Sequence, residues 1–381
     1  MADPFRALRS NAPILTNRTI LSPDYQPSEL PARETDADRL ALILYPLLES
    51  QAPQNTLITG PSGCGKTALA RHVLHALELN ATEIGKPVPC VVVDAQECNT
   101  HYRMLARIAN RLDHANGHVP FTGWPTKDAH DAVAQRVNQH GRALVFVDHF
   151  ERLIEHAGEE PIHDLASIPG LTLLASARSE QAIREHAPQA HKLLAQRHIE
   201  LVPYSTEEVR VILERRAAAG LREAPSPEAL DVIATESHGD ARRALAHLLE
   251  AAEYAAWNGK TLITALDART ASSRVEREAI KNAIRDATMQ ERVVLEAARD
   301  QTRASLDGSA TSGDIYRAYA NLARQRGLGV LTHRRVTSLL DDWAARSLLA
   351  GRVVSYGRLG RTKEVRMIAN ANSIDHSLAE A

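Results

Sequence analysis

The chain is 381 residues long, 44% apolar and 4% aromatic, with 45 Lys and Arg against 47 Asp and Glu, a formal net charge of −2. That length suggests two or three domains with room for a sizeable core, and the near-zero balance excludes a whole-molecule field that draws in nucleic acid. The three cysteines, Cys64, Cys90 and Cys98, form no CxxC pair, so neither a zinc knuckle nor a disulfide framework is indicated.

No apolar run reaches the roughly 18 residues of a membrane span, and MADPFRALRS at the start lacks the apolar core of a secretion signal. A soluble, cytoplasmic protein is expected. Residues 1–35 are rich in proline and polar residues and read as an N-terminal arm. From 36 to 205, five short apolar runs alternate with helical patterns: NTLITG, PCVVVDA, RALVFVD, LTLLASA and HIELVPY. Their spacing leaves room for crossover helices, which predicts a parallel α/β sheet.

The first run leads into GPSGCGKT, residues 60–67, and then the helical ALARHVLHAL. This is a P-loop in its strand–loop–helix setting. Gly60, Gly63 and Gly65 let backbone N–H groups turn toward phosphate oxygens, and the following helix adds the positive end of its dipole. Pro61, Ser62 and Cys64 complete the loop, and Ala68 lies in the first helical turn. Lys66 supplies a charge for the β- and γ-phosphates of ATP or ADP; the Thr67 hydroxyl is placed to ligate Mg²⁺. The run ALVFV then delivers Asp148 to the same edge of the sheet as the second Mg²⁺ group.

Residues 206–280 read as a helical lid. Its first helix, STEEVRVILERRAAAG, has Ser205 and Glu208 at capping-box spacing and closes on Gly220. TASSRVEREA is expected to be a linker. Over 285–370 three helices precede two short strands, and 371–381 reads as a tail. Residues 285–370 hold 14 Arg and one Lys against nine Asp and Glu, so this part is the candidate anion binder. In LTHRRVTSLLDDWAARSLL, a helix capped near Thr332 places Val336, Leu339, Leu340 and Trp343 on one apolar face. His333, Arg334, Arg335, Thr337 and Ser338 stand off that face at the N-terminal end, the end that enters a major groove. GRVVSYGRLGRTKEVRM reads as a hairpin with Gly357 and Gly360 at its tip. Arg358, Arg361, Thr362 and Lys363 are placed to reach phosphates or a minor groove of double-stranded DNA.

These strings together resemble the archaeal origin-recognition and Cdc-type replication initiators, AAA+ ATPases with a C-terminal winged helix. LPARETDADRL resembles the segment that lies near the adenine in that family. DAQECNTHYRMLARIANRL and VPFTGWPTKDAHDAV resemble its helical insertion, HGDARRALAHLLEAA its sensor-2 helix, and residues 311–367 its winged-helix domain. The resemblance implies that Arg242 is the sensor-2 arginine reaching the γ-phosphate, and that the insertion NTHYRMLARIANRL offers a second DNA contact with His101, Tyr102 and Arg103 as weaker candidates. It also implies a nucleoid-associated protein that binds origin DNA, helps recruit the MCM helicase and works beside paralogous initiators.

Three positions depart from that pattern. The family's water-polarising Glu falls at His149, its sensor-1 Asn at Ala177, and its arginine finger near Lys192 and Leu193. Groups acting on the transition state are thus missing while binding groups remain, so weak or absent hydrolysis is expected, with His149 or Glu151 as stand-ins. A AAA+ motor or loader would need those missing groups. A nucleotide-gated transcription or plasmid-replication regulator on the same scaffold stays open beside the initiator.

Overall fold

The structure is a computed structural model that describes residues 14–51, 53–98, 100–113, 117–346, 348–355, 361–369 and 371–380. The chain forms two compact units, 1–271 and 272–381. Among the described residues no helix is long and apolar enough to cross a membrane.

The first unit begins with a short helix α1 (Arg18–Leu21) and α2 (Glu34–Leu44). Then come β1 (Thr56–Thr59), α3 (Lys66–Glu83), β2 (Cys90–Asp94), α4 (His101–Leu112), α5 (Thr126–His140) and β3 (Ala143–Asp148). Two short helices, α6 (Phe150–Ala157) and α7 (Glu160–Ala166), lead to β4 (Leu171–Ala177). A second pair, α8 (Glu180–His186) and α9 (Pro188–Leu194), leads to β5 (Arg197–Glu200). All five expected strands are present, in the order β2-β3-β4-β1-β5, and every pairing is parallel. Parallel strands buried on both faces read as continuous apolar runs, and β3 has all six residues buried. Because β1 lies between β4 and β5 while β3 lies beyond β4, the chain reverses direction around β1, where ligands of open α/β sheets gather.

Three helices follow: α10 (Thr206–Gly220), α11 (Pro227–Glu236) and α12 (Ala241–Trp257). The predicted capping box at Ser205 and Glu208 is formed in both directions. The arm is not free along its described length. Ile14 and Leu21 are buried in the lid's apolar cluster, and the Thr16 and Asn17 N–H groups donate to the Gly220 carbonyl. Gly220 must be glycine here, because a Cβ would sit 2.8 Å from the Leu21 side chain.

TASSRVEREA, expected as a linker, lies inside one helix, α13 (Ala265–Arg285). The segment holds no glycine or proline to stop the helix, and Ala, Arg and Glu favour it. The second unit continues with α14 (Met289–Ala304), β6 (Ser309–Thr311), α15 (Ser312–Gln325), α16 (His333–Ala345), β7 (Leu349–Ser355) and β8 (Arg361–Met367). The expected tail carries a last helix, α17 (Ala371–Glu380), whose Ile374 is fully buried. β8 pairs antiparallel with β7 and with β6, a three-residue strand too short to show alternation in the sequence. Val336, Leu339, Leu340 and Trp343 bury the predicted face of α16, and the Trp343 indole donates to the Glu291 carbonyl at 3.0 Å. The unit is therefore a winged helix built on one apolar core.

One buried histidine gives the first unit an acid sensitivity. His247 on α12 has no exposed surface, and burial, aided by the nearby Arg243 cation, pushes its pKa down from 6.5 to about 4. The unfolded chain then takes up the proton first, so stability is full above about pH 6.5 and falls as pH drops from there toward 4. The loss should reach on the order of 3 kcal/mol near pH 4. Denaturant titrations at pH 7.5 and 5 should show this slope in the wild type. A His247→Leu variant should flatten it; an unchanged slope would remove His247 as its source.

Candidate functional site

The P-loop links β1 to α3, and its glycines take backbone angles closed to other residues: φ is +150° at Gly60, +70° at Gly63 and +96° at Gly65. Lys66 opens α3, and its Nζ donates to the loop carbonyls of Gly60 at 2.6 Å and Pro61 at 2.8 Å. Cys64 is fully buried beneath the loop, and burial raises its thiol pKa against the pull of Lys66 and Arg33.

Asp148 ends β3 and is almost wholly buried. The Thr67 hydroxyl donates to its Oδ2 at 2.7 Å, the Ser176 hydroxyl on β4 to its Oδ1, and the His149 N–H to Oδ1 at 3.1 Å. The chain turns sharply there. His149 is left-handed, with φ 54° and ψ 45°, and α6 starts at Phe150. The His149 Nδ1 lies 3.1 Å from the Asp94 carboxylate at the end of β2. Asp94 and Asp148 are paired residues of neighbouring strands, so the sheet register itself brings the imidazole to that carboxylate.

These groups line a cavity of about 550 Å³, walled also by the arm residues Pro23 to Pro31 and by Arg215, Arg216 and Arg242 of the lid. The arm is fastened at several points. The Arg216 guanidinium donates to the Ile20 and Tyr25 carbonyls and stacks on the Tyr25 ring. Arg33 is nearly buried, donates to the carbonyls of Cys64 at 3.0 Å and Val202 at 2.5 Å, and stacks on the Tyr204 ring. The lid touches the P-loop directly: the Ala241 N–H donates to the Gly63 carbonyl at 3.1 Å, and the Asp240 carboxylate caps α12 through the Arg243 N–H.

In the second unit, Thr332 caps α16 by accepting from the Arg335 N–H at 3.3 Å. His333, Arg334 and Arg335 are exposed on the first turn, and His333 packs edge-on against Tyr316. Thr337 spends its hydroxyl on the His333 carbonyl, whereas Ser338 is half-buried. Arg358, Gly357 and Gly360 lie outside the described residues, and Arg361 is described only as backbone of β8.

A family model for the CDC6 C-terminal winged helix domain matches residues 282–377, and one for an AAA ATPase domain matches 29–171. The chain is 30% identical to an ORC1-type DNA replication protein of Pyrococcus horikoshii, over 95% of its own length and 89% of that protein's. The chain belongs to the ORC1-type family of DNA replication proteins. A Methanoculleus marisnigri member is also 30% identical, over 97% of this chain and 91% of that one. Among solved structures, Aeropyrum pernix ORC1 in complex with DNA matches with a TM-score of 0.80 and 29% identity, covering 96% of this chain and 97% of that one. Aeropyrum pernix ORC2, in ADPNP-ADP complexes, shares the fold, with a TM-score of 0.68 at 21% identity.

Within this ORC1-type chain, most residues expected at the nucleotide line one cleft, namely Ser62, Gly63, Gly65 to Ala68, Asp148, His149, Glu151 and Arg242, whereas Gly60, Pro61 and Cys64 of the loop do not. Glu151 arrives there because the strand ends before it; it lies in the first turn of α6, 3.4 Å from Arg178. Ala177 is buried, and Ser176 beside it is already committed to Asp148. Lys192 is exposed on α9 and does not line the cleft. Two weaker DNA candidates are engaged elsewhere. His101 pairs with Asp164 at 3.1 Å, and the Tyr102 hydroxyl donates to the Pro120 carbonyl at 2.6 Å. Lys363 pairs with Asp341 of α16 and lies across Gly351 of β7, so it ties wing to helix and is not a free cation. Sequence reasoning missed Ser176, Asp94, Arg33 and Asp240. Only the strand-end position of Asp94 and the spacing of Asp240 before a helix carried any signal.

Gly63 is the tightest point of the loop. A Cβ there would overlap the Asp240 carboxylate, and the backbone is left-handed. Gly63→Ala should cost at least about 1–2 kcal/mol of folding stability from the backbone alone and should also weaken nucleotide binding. Chemical denaturation beside a fluorescent-nucleotide titration checks both; an alanine variant matching wild type in each would show that the lid does not seat against the loop.

Proposed function

We propose that this chain is a replication-origin-binding initiator that holds ATP or ADP with Mg²⁺, hydrolyses it slowly or not at all, binds double-stranded DNA, and helps recruit the MCM helicase. The observation that carries the reading is the cleft itself. A complete phosphate cradle stands over Asp148 and Thr67, yet the groups that would activate water are a histidine and an alanine. The relatives, named as replication proteins over nearly their whole length, support an initiator over a transcription or plasmid-replication regulator.

The donor set fits Mg²⁺. Two hard oxygens, the Thr67 hydroxyl and an Asp148 carboxylate oxygen, lie 2.7 Å apart beside the loop, the kind of donors that a hard divalent cation such as Mg²⁺ would take. When bound, Mg²⁺ neutralises charge on the phosphates. The loop N–H groups and the α3 N-terminus bind the β-phosphate. Lys66 exchanges its two loop carbonyls for phosphate oxygens. Arg242, at the start of the lid helix, meets the γ-phosphate and registers its presence. Asp94 holds the His149 ring by Nδ1, and neither that imidazole nor Ala177 reproduces a carboxylate–amide pair around water. The N-terminal turn of α16 enters the major groove with Arg334 and Arg335, while the wing, through Arg358 and Arg361, meets backbone phosphates. As a member of a family of DNA replication proteins, the chain is placed by this reading with the chromosome in the cytoplasm.

Lys66→Ala should weaken ATP binding at least about tenfold, the equivalent of about 1.4 kcal/mol from one lost charge-assisted contact. His149→Glu should raise steady-state turnover without tightening nucleotide binding, since the carboxylate acts on the transition state. Wild-type turnover at an ordinary AAA+ rate, lost on changing His149, would overturn the slow-hydrolysis reading.

Arg334→Ala or Arg335→Ala should cost about 1–3 kcal/mol on the preferred site and relax its sequence preference. Arg361→Ala should weaken all duplexes alike and lower the salt slope by about one. Footprinting on origin-containing fragments, with and without nucleotide, tests the whole reading; protection no different from that of random DNA would defeat it.

A further inference from the structure

We infer that the chain carries a second phosphate-binding site, outside the nucleotide cleft, in a notch between α3, the edge strand β2 and α4. A cavity of about 340 Å³ lies there, lined chiefly by Arg71, Arg107, Arg111, Asp94 and Glu97. Three guanidinium groups thus face one small space. The Arg71 and Arg111 side chains have no ion pair or hydrogen bond among the described residues. Arg107 has one carboxylate, Glu97, at 3.2 Å, but its Nε is buried with no acceptor. The other acid, Asp94, is already occupied by His149.

This arrangement is costly as it stands. Arg107 and Arg111 are one helical turn apart, where like charges repel, and a buried donor without an acceptor forfeits its hydration. Arg71 from α3 adds a third cation against the same wall. A multivalent oxyanion removes all three penalties together. Its oxygens accept from the Arg107 Nε and take paired N–H donors from two flanking guanidiniums, the geometry in which arginine recognises phosphate. A carboxylate has too few oxygens and too little charge to meet three such groups.

Both free phosphate and the phosphodiester of a nucleic acid have this chemistry. The structure favours free phosphate, because Arg71 and Asp94 line the notch and the nucleotide cleft alike, so the two spaces share a wall. This choice of source rests on the nucleotide reading above; the notch itself does not.

Inorganic phosphate, titrated calorimetrically into the full chain with the cleft held by saturating ADP and Mg²⁺, tests the site. One equivalent should still bind, sulfate should compete for it, and Arg111→Gln should weaken it at least about tenfold. Arg111 lies on the exposed face of α4 outside the cleft, so the variant does not risk the fold, and a separate ADP titration reports the cleft alone. Phosphate uptake that vanishes once ADP is bound, or that is equal in the Arg111→Gln variant, overturns the proposal. A fall in duplex affinity in that variant, with no phosphate binding in the wild type, assigns the notch to a nucleic-acid backbone and overturns free phosphate as its ligand. Should ADP itself fail to bind, the nucleotide reading falls. The same phosphate titration on the ligand-free chain, wild type against Arg111→Gln, then decides the notch.

Discussion

The Asp148 carboxylate is the knot of the first unit. Burying a charge this deeply is costly unless each oxygen is satisfied, and here three donors from three segments satisfy it: Thr67 from the P-loop helix, Ser176 from the neighbouring strand, and the backbone of His149. The same contacts fix where α3 starts relative to the sheet, hence where the loop amides point. They also turn the chain at residue 149 into the left-handed region, which lets α6 begin at once and brings Glu151 to the cleft. The geometry of the loop and the placing of His149 therefore share an origin. The residue that follows Asp148 is held by its backbone, and its imidazole is drawn sideways to Asp94 by the register of β2 on β3.

The second unit uses charge differently. Its net basic character does not lie on one even face, because many arginines are paired: Arg299 with Asp300 and Asp375, Arg326 with Glu296, Arg352 with Glu364. What distinguishes Arg334 and Arg335 is position at a helix N-terminus that lacks acids in its first turn. Lys363 shows the opposite case. Although its place in the sequence is that of a wing cation, the missing Cβ of Gly351 opens a channel through which its stem reaches Asp341.

Much of this was legible in the residues. The five strands could be read because parallel strands are apolar on both sides, and α16 because Thr332, Val336, Leu339, Leu340 and Trp343 obey one helical period. The P-loop was legible because its function dictates glycine at defined places. What stayed hidden depended on partners distant in sequence. Proline and polar residues over 1–35 read as an arm, and nothing in that composition shows that Ile14 and Leu21 find a buried seat on the lid. TASSRVEREA has small polar residues that suit a linker, yet nothing in it breaks a helix. Whether a cation such as Lys363 is free or tethered depends on a glycine twelve residues away. The meeting of His149 with Asp94 needs the sheet order, which periodicity alone does not reveal.

The fastening of the arm has a consequence for how the cleft is filled. Residues 23–31 form one wall of the nucleotide cavity, while Ile14, Leu21 and the Arg216 contacts anchor the same stretch to the lid. A ligand that binds that wall better when it is anchored strengthens the anchor, and by reciprocity loosening the anchor then loosens the ligand. Residues 14–31 thus act as a strap that joins the lid to the cleft wall, so cleavage within them and loss of a ligand held by that wall report on one equilibrium.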